Sequence, residues 1–276
     1  MEESQVYRKK DLQPAYTLSI IAGVLMAAVS LAGLLFQESL YPTYELRNAF
    51  LINEMVNLII GLPILIVSIW FARRGHLAGL LLLPGALLYI LYNYIAYLIG
   101  MPIGFISLTY LAIVTLSAYA IYDLMRGIDH KVVHERLSGA VPLRLSGWVL
   151  VILGALFILR ALGMLVQATM NQVQLPMSEI GVLISDLILS AAWVAGGYLL
   201  LRRTPLGFTS GLGLLFSGSA LFIALILFLL LRPLLTGSEI PFMDISVVLI
   251  MGMACFIPFF LYLRGALAGG RKHDAN

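Results

Sequence analysis

Six side chains stand out because their chemistry is at odds with their surroundings. Arg160, Asp186 and Glu54 are ionisable, Asn57 and Asn93 are amides, and Tyr89 is a phenol, yet each sits in a long apolar run. Such groups are costly in hydrocarbon and persist where they pair, bind or relay something. An arginine and a carboxylate neutralise each other and, if reachable, can hold a polar solute. Asparagine and tyrosine add uncharged donors and acceptors. Glu54 and Asn57 are three positions apart and fall on one helical face. Arg160 lies about 13 residues into its run, roughly 20 Å at the helical rise. Asp186, Asn57 and Asn93 fall at a similar depth, in the outer third of the membrane. The pattern predicts a polar site of Glu54, Asn57, Tyr89, Asn93, Arg160 and Asp186, with Arg160 facing either Asp186 or Glu54. The milder alternative is that Arg160 snorkels to the outer headgroups while Asp186 is capped by a neighbouring helix or protonated.

The elements that carry these residues follow from composition. Hydrophobic types make up 61% of the 276 residues, charged types 11%, and the mean hydropathy is +0.98. A soluble globule of this size needs about twice that share of charge, which excludes a soluble enzyme. The abundance of apolar surface excludes disorder. A helix needs about 20 apolar residues to cross a bilayer, and eight runs qualify, at roughly 16–36, 49–71, 77–99, 104–125, 147–168, 180–201, 205–231 and 245–263. None alternates as a barrel strand does. The expectation is an all-α, polytopic transmembrane helical bundle of about eight spans. The first run is longer than a cleavable signal core and reads as a retained anchor. Neither end carries a lipidation box. The lone Cys255 lies in an apolar run and has no partner for an internal disulfide.

Basic residues set the orientation. With the N-terminus in the cytoplasm, Arg8, Lys9, Lys10, Arg73, Arg74, Arg126, Lys131, Arg136, Arg144, Arg202, Arg203, Arg264, Arg271 and Lys272 lie inside, and only Arg47 and Arg232 outside. Both termini are therefore expected in the cytoplasm, and the membrane is expected to be the cell (inner) membrane. The net charge of +3 is an orientation signal and not a nucleic-acid patch. Glu38, Glu45, Glu179, Glu239 and Asp244 lean towards the outer face.

The chain also repeats itself. The segment from Asn57 and the segment from Asp186 each run through a span, an arginine pair and a second span, with Arg73–Arg74 mapping onto Arg202–Arg203 at an offset of 129. At that offset the first span meets the fifth and Asn57 meets Asp186. The expected organisation is a cytoplasmic tail at 1–15, a four-helix repeat at 16–125, a cytoplasmic linker at 126–146, a second repeat at 147–264 and a tail at 265–276. Each repeat has an even number of spans, so the two are parallel and leave a seam along the membrane normal. In the linker, Val132, Val133 and Leu137 could lay an amphipathic turn on the inner surface.

The remaining polar and small residues have structural and functional readings. Tyr89, Tyr92, Asn93 and Tyr97 share a face of the third span, and Tyr94, Tyr110, Tyr119 and Tyr122 lie nearby. They read as an interfacial aromatic belt or as the wall of a pocket around Asn93. Gly23 with Ala27, Ala28 with Ala32, Ala192 with Gly196 and Gly207 with Gly211 allow close helix packing, within the chain or in an oligomer. Pro63, Pro84 and Pro258 should bend their spans. His130 and His134 are four apart, a weak metal pair without a third ligand, and no metal or cofactor is expected. No H-E-x-x-H, P-loop or G-x-S-x-G motif occurs, which leans away from an enzyme.

The segments ARRGHLAGLLLLPGALLYILYNYIAYLIG and SDLILSAAWVAGGYLLLRRTPLGF resemble blocks in a family of uncharacterised prokaryotic polytopic membrane proteins of about eight spans. The resemblance covers most of residues 16–231. It implies no catalytic residue, but it implies that Asn93 with its tyrosines, and Asp186, belong to a shared pattern. Two expectations follow for function. One is a small-solute transporter or channel-like protein with its polar site in the seam. The other is a non-enzymatic accessory or scaffold protein packing with partner membrane proteins. A membrane enzyme acting on lipid ranks last, since only His130 and His134 offer candidate groups.

Overall fold

The computed structural model describes residues 7–271; Lys272 and the outermost parts of both expected tails lie outside the described residues. Eight helices are long and apolar enough to cross a membrane: α1 (Gln13–Leu35), α2 (Tyr44–Arg73), α3 (Leu77–Gly100), α4 (Phe105–Gly127), then, after a short linker helix α5 (His130–Leu137), α6 (Leu143–Met170), α7 (Met177–Leu201), α8 (Pro205–Thr236) and α9 (Phe242–Arg271). No strand occurs among the described residues; one isolated antiparallel bridge joins Arg8 to Ile128. The helices overrun the expected spans by a few residues because polar ends continue the helix beyond the apolar stretch. Thr204 caps α8 by accepting from the Gly207 N–H at 3.1 Å, ahead of Pro205, and Gly237 ends it in the left-handed conformation at φ +66°.

α3 is the most enclosed of the eight. It packs against α2 and α4 on one side and α7 and α8 on the other. It meets α8 backbone to backbone: a Cβ built on Gly85 falls 2.2 Å from the Gly213 carbonyl oxygen, and one built on Gly213 falls 2.8 Å from the Leu81 carbonyl oxygen. Only glycine permits this approach. Gly147 and Gly197 make a second reciprocal crossing between α6 and α7. The small residues noted in the sequence also pack inward, Gly23 on Leu65, Gly196 on Leu214 and Gly211 on Tyr262.

The two arginine turns are alike bond for bond, in a register one residue from that expected. After α2, Arg74 N–H donates to Trp70 O, Gly75 N–H to Ala72 O and His76 N–H to Phe71 O; after α7, Arg202, Arg203 and Thr204 donate to Tyr198, Leu200 and Leu199 in the same way. Gly75 and Arg203 are both left-handed, at φ 83° and 54°. The Arg74 guanidinium stacks on Trp70 and that of Arg202 on Tyr198. Arg74 and Arg202, which occupy the same place in the two turns, are 128 positions apart. Gly85 and Gly213, which cross, are separated by the same 128 positions.

The face bearing these turns is tied down by specific contacts, not only by headgroups. Lys9 N–H donates to Gly127 O and Asp129 N–H to Tyr7 O, both at 2.8 Å. Lys10 pairs with Asp123, and Arg8 donates to Tyr16 Oη at 3.1 Å and to Ala72 O at 3.0 Å. The linker helix docks Val133 and Leu137, both fully buried, beneath α8.

Candidate functional site

The six residues predicted to form one site divide into two clusters. The first surrounds Asp186 on α7, which is 2% exposed. Arg160 Nη1 on α6 donates to Asp186 Oδ2 at 2.5 Å, and Tyr92 Oη on α3 donates to Oδ1 at 3.0 Å. Arg160 therefore pairs with Asp186 and not with Glu54, and its head is turned inward to that partner instead of snorkelling. Half of the Arg160 side chain (51%) remains exposed. One of its five N–H donors is used by Asp186, so others are available.

Arg160 and Asp186 both line a cavity of about 330 Å³, walled by α2, α3, α6, α7 and α8. Its lining runs from Ser178 and Glu179, in the first turn of α7, to Trp193, 15 residues further down that helix and roughly 22 Å deeper at the helical rise. The cavity therefore lies in the half of the bundle away from the arginine turns. The floor is aromatic: Phe157 meets Trp193 edge-on at 5.6 Å, and Trp193 Nε1 donates to Ser217 Oγ at 3.4 Å. Asn93 lines the wall but turns its amide to its own helix, donating to the Tyr89 carbonyl at 2.9 Å. A few polar groups on an otherwise apolar wall is the composition of a small-molecule site.

The second cluster is closed. Glu54 is fully buried inside α1–α4 and is absent from the cavity wall. Tyr41 Oη, from the segment joining α1 to α2, donates to Glu54 Oε1 at 2.5 Å. Ser30, Tyr97 and Asn57 also lie against the carboxyl. Burial, with Glu54 beside it, pushes the Tyr41 phenol well above its ordinary range, so it remains a donor. Glu54 Oε2, both polar atoms of the Asn57 amide and the hydroxyls of Tyr89 and Tyr110 have no hydrogen-bond partner among the described residues. α2 is wound here in two wide π turns, Arg47–Leu51 and Asn57–Gly61, on either side of Glu54. Such turns frequently mark functional sites.

Tyr89 sits between the clusters. Its ring edge lies 2.9 Å from a Cβ built on Gly61, and its neighbour one turn on is Asn93. Tyr89, Tyr94, Tyr97 and Tyr110 are all buried and are not a membrane-surface belt; that reading suits only the exposed Tyr119 and Tyr122. The sequence reading missed Tyr41, hidden in a connecting segment, and Trp193, which it did not single out; Tyr92 it placed on the Asn93 face without seeing its bond to Asp186.

His130 and His134 do not face a common point. His130 Nδ1 meets Thr209 Oγ1 at 3.0 Å, while the His134 ring packs edge-on against Phe208 at 4.5 Å. They pin the linker helix to the start of α8. Partial burial, with Lys9 nearby, lowers the His130 pKa below the ordinary imidazole value.

The eight apolar helices and their fold define a multi-pass, all-α integral membrane protein. The chain matches no protein-family model, no curated protein and no solved structure.

Proposed function

We propose that this protein is a transporter for a small amphipathic solute, bound in the cavity beside the Arg160–Asp186 pair. The observation that carries the reading is the half-exposed Arg160, held by a buried carboxylate at the side of an open, aromatic-floored cavity. A chain serving only to pack against partners has no use for a buried ion pair with free donors facing a cavity of ligand size. With the positive-inside rule, the arginine turns lie on the cytoplasmic side of a cell membrane and the cavity lies in the outer half of the bundle.

We further propose that α1–α4 and α6–α9 are parallel repeats whose seam is this cavity. The matched turns and the Gly85–Gly213 crossing support a two-fold relation at an offset of 128. The π turn at Asn57–Gly61 accommodates one extra residue in α2. Upstream of it the offset becomes 129, which places Asn57 opposite Asp186. A pseudo-two-fold axis along the membrane normal then passes between α3 and α8, as in parallel-repeat transporters.

Uptake into proteoliposomes, measured with labelled small amphipaths carrying acidic, neutral and basic heads, tests the reading. Wild type should take up one head class, and Ala224→Trp, which fills the cavity, should abolish that uptake while leaving the melting temperature unchanged. Equal flux through wild type and the filled variant for every solute would overturn it.

A further inference from the structure

Among the described residues, no basic side chain pairs with Glu54. The carboxyl is 0% exposed. The groups that face it are Ser30 from α1, Tyr41 from the connecting segment, Asn57 from its own helix and Tyr94, Tyr97 and Tyr110 from α3 and α4. All are neutral, and no lysine, arginine or histidine among the described residues forms an ion pair with it. A buried carboxylate in that setting is held by neutral donors alone, with no cation to balance its charge.

We propose that Glu54 is a proton-binding site, occupied as the neutral carboxylic acid in this structure. Tyr41 already donates to Oε1, so the proton resides on Oε2, the oxygen without a partner. Asn57, one turn further along α2, lies against the carboxyl, and its amide atoms also have no partner among the described residues. One proton removes the charge and makes the orphaned Oε2 a hydroxyl donor. A single carboxylate matches a single proton, and the close-packed surroundings, with Gly33 leaving only 3.0 Å between a built Cβ and Glu54, favour a proton over a hydrated cation.

The site lies one residue along α2 from Asn53 and is linked through Asn57, Gly61 and Tyr89 to Asn93; both Asn53 and Asn93 line the cavity. The proton site stands without the solute reading; its use in driving solute movement rests on that reading.

The test is infrared difference spectroscopy of the full chain in lipid nanodiscs at neutral pH, with no solute present. Wild type should show a protonated-carboxyl C=O band that shifts in deuterated water. Glu54→Gln should lose the band and keep the wild-type melting temperature, whereas Asp186→Asn should retain it. Tyr41→Phe, which removes the donor to Oε1, should move the band without erasing it, and reads the same site if Glu54→Gln does not accumulate. A band absent from wild type, or one that survives Glu54→Gln and ignores Tyr41→Phe, would overturn the proposal. Failure of uptake with the band intact would sink only the transport reading.

Discussion

The Asp186 and Glu54 clusters are two solutions to one problem, a carboxyl within a membrane. Asp186 is met by a cation and a phenol and sits at the side of an open cavity. Glu54 is met by neutral donors alone and is sealed within α1–α4. The first arrangement balances charge with charge and leaves donors over for a ligand. The second leaves orphaned atoms that a proton would complete. The helices differ accordingly: α7 is regular throughout, while α2 widens into π turns on either side of Glu54.

The largest expected effect comes from removing the crossing that holds both clusters side by side. Gly85→Leu drives a side chain into the Gly213 carbonyl and should cost more than about 4 kcal/mol, seen as loss of monodisperse protein on size exclusion. Next, Arg160→Leu strands a buried Asp186 carboxylate. It should destabilise by about 3 kcal/mol, the low end for a buried pair because Arg160 is half exposed. Thermal melts in detergent should show recovery in Arg160→Asp/Asp186→Arg relative to either single reversal; no recovery would mean the pair is not energetically coupled.

The comparison itself is sharpest in the isosteric amides. Asp186→Asn removes the partner of Arg160 and should cost about 1–2 kcal/mol, whereas Glu54→Gln mimics a neutral acid and should change stability by less than about 0.5 kcal/mol. Equal costs would erase the distinction drawn between them. Tyr92→Phe, deleting one hydrogen bond to Asp186, should lower stability by about 1 kcal/mol.

The smallest effect concerns the linker. The folded pKa of His130 is lowered, so the native state binds fewer protons there than the unfolded chain. Stability from this group is therefore present above the unfolded imidazole value, about 6.5, and is lost as pH falls below it. A modest drop in melting temperature between about pH 7 and pH 5, absent in His130→Gln, would show it.

Much of this was legible in the chain. Apolar runs of about 20 residues must become helices in lipid because only a helix satisfies its backbone within one segment, so all eight spans could be placed, with ends off by at most eight residues. The six costly polar residues could be singled out for the same reason, since a price in hydrocarbon needs no knowledge of neighbours. Partnership could not be read. Arg160 had two carboxylates at matching depth, and periodicity says which face a residue occupies without saying which helix that face meets. The tyrosines of α3 looked like a belt because interface and core tyrosines have the same sequence signature.

The likeness of the two arginine turns was legible only in part: matching the arginine pairs gives an offset of 129, whereas the like hydrogen bonds and the Gly85–Gly213 contact are 128 apart. A π turn leaves no mark in hydropathy, so the sequence pattern could not show it. What the sequence alone determined is the solvent each segment meets, because transfer free energy is a property of the residues themselves. What only the tertiary structure decided is that one carboxyl received a cation and a cavity while the other received neither, because pairing depends on where separate helices come to lie.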